Sequence, residues 1–235
     1  MSANAQAITV LFETMRKQSE VTDRVFYDLV KTRTVFNPSI NANRFVTGGV
    51  AEELMVDHIT QCGFQVENLA ETKTVIDICV HIPLVDDPEF ALSLSLKNCG
   101  NIKGCPVLEN YRGKCRKAIR PLPPTIIIYT DDKKRIVRYV YLDYTLLRSV
   151  YPDETEDALN SIVYNQQDAN LSFRSGFLHK FISKLPNAFI LEATYPTITD
   201  HYKGVRMSKF ILDYIRTLQP TPKRTVRLRN RDPDN

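Results

Sequence analysis

Asp77, Ser95 and Lys97 are the residues whose types and spacing bring chemistry within reach. In the run TVIDICVHI, residues 74–82, Ile76, Ile78, Val80 and Ile82 alternate with Val75, Asp77, Cys79 and His81. In residues 91–98, Leu92, Leu94 and Leu96 alternate with Ser93, Ser95 and Lys97. A period of two belongs to a half-buried strand, whose successive side chains point to opposite faces. Pro83 and Asp86-Asp87-Pro88 break the chain between the two runs, as a connecting loop requires. Paired antiparallel, the two strands place Asp77, Ser95 and Lys97 on one polar side. A carboxylate there offers a hard oxygen to a divalent cation such as Mg²⁺, and the neighbouring ammonium can orient a water or offset charge in a transition state. That is equipment for hydrolysing a phosphodiester. It is also the composition of an ordinary cross-strand charge pair.

The elements that position these residues read outward from the ribbon. Upstream, residues 49–62 set Val50, Leu54, Met55, His58, Ile59 and Cys62 on one helical stripe that Gly63 ends, with Glu52 and Glu53 off the stripe. A short strand over 64–68 follows. Residues 5–33 read as a helix, closed by a polar loop, NPSINANRF. Downstream, a polar loop and a basic, helix-prone stretch lead to TIIIYT, residues 125–130. This β-branched run, bounded by Pro and Asp, suits a central strand covered on both faces. A neighbouring strand is expected over 135–142, helices over 154–163, 172–185 and 208–218, and a strand over 188–194. The pattern predicts an α/β fold, a central mixed sheet flanked by helices, in a single domain over residues 1–219. Its core spans about 48–195, preceded by a helical region over 1–47. A basic tail, 220–235, reads as extended or disordered.

With 235 residues, 43% hydrophobic and 25% charged, the chain can bury one substantial core. No apolar run approaches the roughly 20 residues that span a bilayer, and the N-terminus lacks the pattern of a secretion signal. A cytoplasmic or nuclear protein with no membrane partner and no organic cofactor is expected. The five cysteines, Cys62, Cys79, Cys99, Cys105 and Cys115, are odd in number and match no zinc spacing, which fits reduced thiols.

The motifs GGVAEELMVDHITQCGF, VIDICV and SLSLK, within Gly48 to Asn98, resemble the PD-(D/E)xK nuclease superfamily of restriction endonucleases and Holliday-junction resolvases. In that superfamily a helix bearing a glutamate precedes a ribbon with an aspartate on one strand and an acid-x-Lys on the next. Glu52 takes the glutamate position, with Glu53 a close second; Asp77 takes the aspartate position and Lys97 that of the lysine. Two positions depart from the pattern: Ile76 replaces a proline, and Ser95 stands where the second acid belongs. A hydroxyl is a poor Mg²⁺ ligand, so another oxygen is required. Restriction enzymes with Ser-x-Lys take a glutamate from a later helix, a role for which Glu109 is the candidate. The resemblance also implies that the Leu96 carbonyl binds the metal.

The resemblance implies a restriction-endonuclease-like fold and a Mg²⁺-dependent endonuclease of double-stranded DNA, most closely a type II restriction enzyme, acting as a homodimer on a palindrome. The sequence beyond the small core, about 135–235, favours this over a Holliday-junction resolvase or a repair nuclease. Outside the enzymes, the alternative is a catalytically inactive DNA-binding module on the same scaffold. The net charge of +4 is modest, but Lys103, Arg112, Lys114, Arg116, Lys117 and Arg120 follow Lys97 closely, where they can neutralise phosphates. Lys223, Arg224, Arg227, Arg229 and Arg231 make a second basic run in the tail. Either run also suits a solvated face. Candidates for base readout are Asn165, Gln166 and Gln167 and the loop over 200–206 with Lys203 and Arg206.

Overall fold

The structure is a computed structural model that describes residues 2–35, 41–69, 76–99, 106–108, 122–131, 136–161, 163–166, 170–173 and 176–194. Of these, 34–35, 41–46, 106–108, 160–161, 163–166 and 170–173 are described by their backbone alone. One compact unit, Met1–Pro196, holds every described residue. The expected domain ran on to 219; residues 197–219, the helix expected at 208–218 and the tail lie outside the described residues.

The chain is an α/β protein built on a six-stranded mixed sheet flanked by helices. Its strand order is β1 (Gln65–Asn68), β2 (Ile78–His81), β3 (Ala91–Cys99), β5 (Thr125–Asp131), β6 (Ile136–Leu142) and β9 (Ile190–Thr194). The first three strands form an antiparallel meander, β3 and β5 run parallel with Ser95 opposite Thr125, and β5, β6 and β9 are antiparallel. A parallel step needs a crossover of a dozen or more residues, and the chain between β3 and β5 is long enough to supply it. TIIIYT lies at the centre, buried on both faces, as its composition predicts.

Three helices lead into the sheet: α1 (Ala3–Lys17), α2 (Ser19–Val35) and α3 (Asn41–Gln61). The single helix expected over 5–33 is two, because Gln18 leaves helical geometry (φ −96°, ψ 56°). Neither Pro nor Gly marks that break. It is stabilised from afar: Thr22 Oγ1 donates to the Met15 carbonyl, freed at the helix end, at 2.7 Å, and pairs with His58 of α3 at 3.0 Å. Helix α3 also begins earlier than expected, at Asn41, and runs through Gly48 and Gly49. Tertiary contact outweighs glycine's poor helix propensity here, since Asn98 Nδ2 of β3 donates to the Thr47 carbonyl at 2.8 Å. Its end is the expected one. Gly63, at φ 91°, closes a Schellman motif in which the Phe64 and Gly63 N–H groups donate to Ile59 and Thr60.

Strand alternation puts Leu92, Leu94, Leu96, Ile126, Ile128, Tyr139 and Tyr141 on the face toward these helices, all buried. Phe26 of α2 meets the Tyr139 ring edge-on at 4.8 Å between centroids. His58 is fully buried beside them, within 3.4 Å of the Tyr139 hydroxyl. Burial, and then the positive charge of Arg24, lower its pKa to about 4, so it is neutral at pH 7.

Several elements differ from expectation. Residues 106–108, expected in a loop, form β4 (Pro106–Leu108), which pairs with β8 (Asn170–Phe173); β8 in turn pairs with β7 (Val163–Gln166) in a separate three-stranded sheet. The helix expected over 172–185 is shorter, α6 (Phe177–Ile182), entered through Gly176 at φ 82°. Short apolar runs serve either period, and strand pairing decides. Helix α4 (Tyr144–Val150) was not anticipated; its N-cap Asp143 accepts from Leu146 N–H and from the Tyr141 hydroxyl, both at 2.6 Å. Helix α5 (Glu156–Ser161) falls within the expected 154–163, and a 3₁₀ turn, Asn187–Phe189, precedes β9. No helix among the described residues is long and apolar enough to cross a membrane.

Candidate active site

Asp77 sits just before β2, where the ribbon leaves regular pairing. The register places Ile78 opposite Leu94, yet Asp77 N–H also donates to the Leu94 carbonyl, at 2.9 Å. Two residues thus face one, the arrangement of a β-bulge, which re-aims the side chain beside it. On the other side the Asp77 carbonyl accepts from Leu69 N–H at 2.8 Å. Held from both flanks, the residue directs its carboxylate into the end of the ribbon. Asp77 Oδ2 accepts from Leu96 N–H at 2.6 Å and from Ser95 Oγ at 3.1 Å, and it lies 3.6 Å from Lys97 Nζ. The convergence of Asp77, Ser95 and Lys97 expected from the alternation is present.

Their surroundings are less open than the alternation implied. A polar, solvated face was expected along the whole of β3. Only Ala91 and Ser93 are exposed; from Leu94 to Lys97 every residue is buried. The reason is placement: the second half of β3 is an interior strand, bordered by β5, so both of its faces are covered. The Lys97 side chain is 8% exposed and that of Asp77 18%. An ammonium tolerates such burial when a carboxylate and hydrogen bonds compensate it.

Backbone directions matter as much as side chains. Ser95 N–H donates to the Pro124 carbonyl, toward β5, at 2.8 Å. Successive strand residues direct their backbone groups to opposite sides, and one residue's N–H and C=O to the same side. The Leu96 carbonyl therefore faces the edge where Asp77 stands. Asp77 Oδ1 has no protein partner among the described residues. A carboxylate oxygen and a carbonyl oxygen are hard donors that suit Mg²⁺, an ion that commonly keeps waters and fills its remaining positions with phosphate oxygens.

No match to this chain is found among protein-family models, curated proteins or solved structures. Its chemistry is read from the geometry alone.

Glu52 and Glu53 lie half-buried on α3, off its apolar stripe. Among the described residues no three His, Cys, Asp or Glu side chains group so as to hold a metal ion. Glu109, Lys103, Arg112, Lys114, Arg116, Lys117, Arg120, Lys203 and Arg206 lie outside the described residues, as do Gln167 and the basic tail; Asn165 and Gln166 fall on β7. His81 is at the far end of β2, half-exposed and 3.5 Å from Glu67. Cys62, Cys79 and Cys99 are free thiols, and burial raises the pKa of Cys62; Cys105 and Cys115 lie outside the described residues. Sequence reasoning missed one contributor, the Leu96 N–H, which depends on a bulge that periodicity does not signal.

Proposed function

We propose that this chain is a Mg²⁺-dependent endonuclease of double-stranded DNA on a restriction-endonuclease-like fold, and specifically a type II restriction enzyme. The observation that carries the reading is the meeting of Asp77 and Lys97 at 3.6 Å where the ribbon frays, with the Leu96 carbonyl directed to the same edge. The order of α3, β1, β2 and β3, followed by a parallel step to the buried β5, supports the fold assignment. Asp77 Oδ1 and the Leu96 carbonyl would hold the ion, with Glu52 and Glu109 as sources of a further carboxylate. Bound there, Mg²⁺ supplies an acidified water and neutralises phosphate charge. Lys97 would orient an attacking water or offset the charge that develops on the phosphate. Ser95 fixes the Asp77 carboxylate and lines the site. A palindromic target would be cut by a homodimer, one strand per protomer, in the cytoplasm.

The purified protein is expected to cut plasmid DNA into discrete bands with Mg²⁺ and to be silent in EDTA. Asp77→Asn and Lys97→Met should each lower the rate by at least about a hundredfold, in line with the loss of one charged group from a transition state. Full activity in either folded variant overturns the assignment. Preference for branched substrates would mark a structure-specific nuclease instead. A second reading, a catalytically inactive DNA-binding module, is favoured by one feature: Asp77 Oδ2 is already engaged by three groups, as in a structural ion pair. Such a module shifts DNA mobility and never nicks it.

A further inference from the structure

We propose that the carboxyl ends of β3 and β5, beneath α2 and α3, enclose a binding site for one ordered water molecule, held by Asn98, Thr130 and Arg33. The site is independent of the nuclease reading. Asn98 stands opposite Ile128 in the parallel pair, and Thr130 is two residues further along β5. The two are therefore diagonal neighbours on the face of the sheet turned to the helices. Asn98 Nδ2 donates to the Thr47 carbonyl of α3 at 2.8 Å, which fixes the amide and turns Oδ1 away from that carbonyl. Asn98 Oδ1 and Thr130 Oγ1 are both sealed from solvent, and neither has a hydrogen-bond partner among the described residues. Thr130 as a whole is 1% exposed.

Helix α2 brings a third group to the same end. Gln18 donates to the Cys62 carbonyl and Thr22 pairs with His58, so α2 runs back along α3. Arg33 follows Thr22 by the same eleven residues by which Thr47 precedes His58, and the two come level. Thr22, Phe26, Leu29 and Arg33 recur at helical spacing. The first two face His58 and Tyr139, so Arg33 continues their stripe over the sheet. Its Nε is likewise sealed and without a partner among the described residues.

Buried polar atoms are paired almost without exception, because a dry one forfeits its hydrogen bonds to water. These three select their ligand. Arg33 Nε–H only donates, Asn98 Oδ1 only accepts, and the Thr130 hydroxyl does either. A metal cation would meet the guanidinium, and an anion would meet the Asn98 oxygen. Water donates twice and accepts twice, and a buried water makes about three such bonds. Diagonal neighbours stand roughly 7–8 Å apart at Cβ, a gap that two side chains and one bridging water close. Bound there, the water joins α2, α3 and β5 at the strand end next to Lys97.

High-resolution diffraction from crystals of the full-length protein reads the site directly. One ordered peak is expected at hydrogen-bond distance, about 2.7–3.2 Å, from Asn98 Oδ1, Thr130 Oγ1 and Arg33 Nε. Thr130→Val keeps the shape of the side chain and removes its hydroxyl. The peak should be absent from its crystals, and its urea midpoint should fall below that of wild type, because the water and the groups it serves lose a partner. A midpoint unchanged or raised means that the hydroxyl had no bond to lose, and overturns the proposal. Direct bonding of Asn98 to Thr130 or Arg33 in the wild-type map overturns it too, as does sulfate in the same place in crystals grown from sulfate. If Thr130→Val does not fold, the wild-type map decides by itself.

Discussion

At the scale of single residues, the difference between Asp77 as an anchor and Asp77 as a catalyst can be separated by chemistry. Its Oδ2 serves a backbone N–H, a hydroxyl and an ammonium, all largely withdrawn from water. Removing the side chain takes the acceptor from the N–H and the hydroxyl and one counter-charge from Lys97. Asp77→Ala is therefore expected to cost about 2–4 kcal/mol in urea unfolding, the range for stranding a buried charge and donors. Asp77→Asn keeps an oxygen for Leu96 N–H and should cost roughly half as much, yet lose catalysis equally. A double-mutant cycle with Lys97→Met gives the coupling of the pair directly. Equal stability of Asp77→Ala and wild type would mean the hydrogen bonds to Asp77 do not form in solution. Asp77 and Lys97 were legible in the sequence because alternation alone brings them to one side of a ribbon. The Leu96 N–H and the closure around Lys97 were not, since a bulge and an interior strand position are consequences of long-range pairing.

At the scale of elements, the helices hold two devices whose worth can be measured. His58 joins α3 to α2 through Thr22 and to β6 through Tyr139, and burial lowers its pKa from 6.5 to about 4. Unfolded, it takes up a proton below about pH 6.5; folded, it resists until about pH 4. The unfolded state therefore binds more protons across that window, and stability falls as pH drops through it. The full effect is roughly 3 kcal/mol, present above pH 6.5 and lost toward pH 4. Urea midpoints at pH 7 and 5 should show the drop, and His58→Gln should flatten it. A drop as steep in His58→Gln would assign the acid sensitivity to carboxylates elsewhere. At the end of the same helix, an alanine Cβ at Gly63 meets nothing within 4 Å, so Gly63→Ala costs only the backbone strain of φ 91°, about 1–2 kcal/mol. The stop at Gly63 was legible because glycine at a helix end has a local cause. The break at Gln18 was not, because Thr22 and His58, which hold it, are distant in sequence and only the folded chain brings them together.

At the scale of the whole molecule, charge is divided unevenly along the chain in a way that bears on DNA. Residues 197–235 contain nine Lys and Arg against four Asp, a net of +5. With +4 for the entire chain, residues 1–196 carry a net of −1. The unit holding Asp77 and Lys97 thus has no general attraction for a polyanion, and on the proposed nuclease reading local cations would have to supply it. The sequence offers two candidate runs for that role, Lys103 to Arg120 and the C-terminal segment. Neutralising a phosphate releases counterions, so every phosphate left without its cation makes the dependence of log K on log salt shallower by about 0.9. A chain ending at Pro196 is expected to unfold at the same urea concentration as the full protein, since that unit is compact by itself. It should bind duplex DNA more weakly, with a salt slope shallower by several units if the terminal cations touch phosphates. An unchanged slope would leave DNA binding to residues 103–120. Alanine at Arg112, Lys114, Arg116 and Lys117 in the truncated chain should then remove what binding remains. The central place of TIIIYT and the neighbouring strand that follows it were legible at this scale because hydrophobic patterning and chain order determine them together. The three-stranded sheet of β4, β7 and β8 was not, because its strands are three or four residues long and β4 reaches β8 only by pairing across more than fifty residues of sequence.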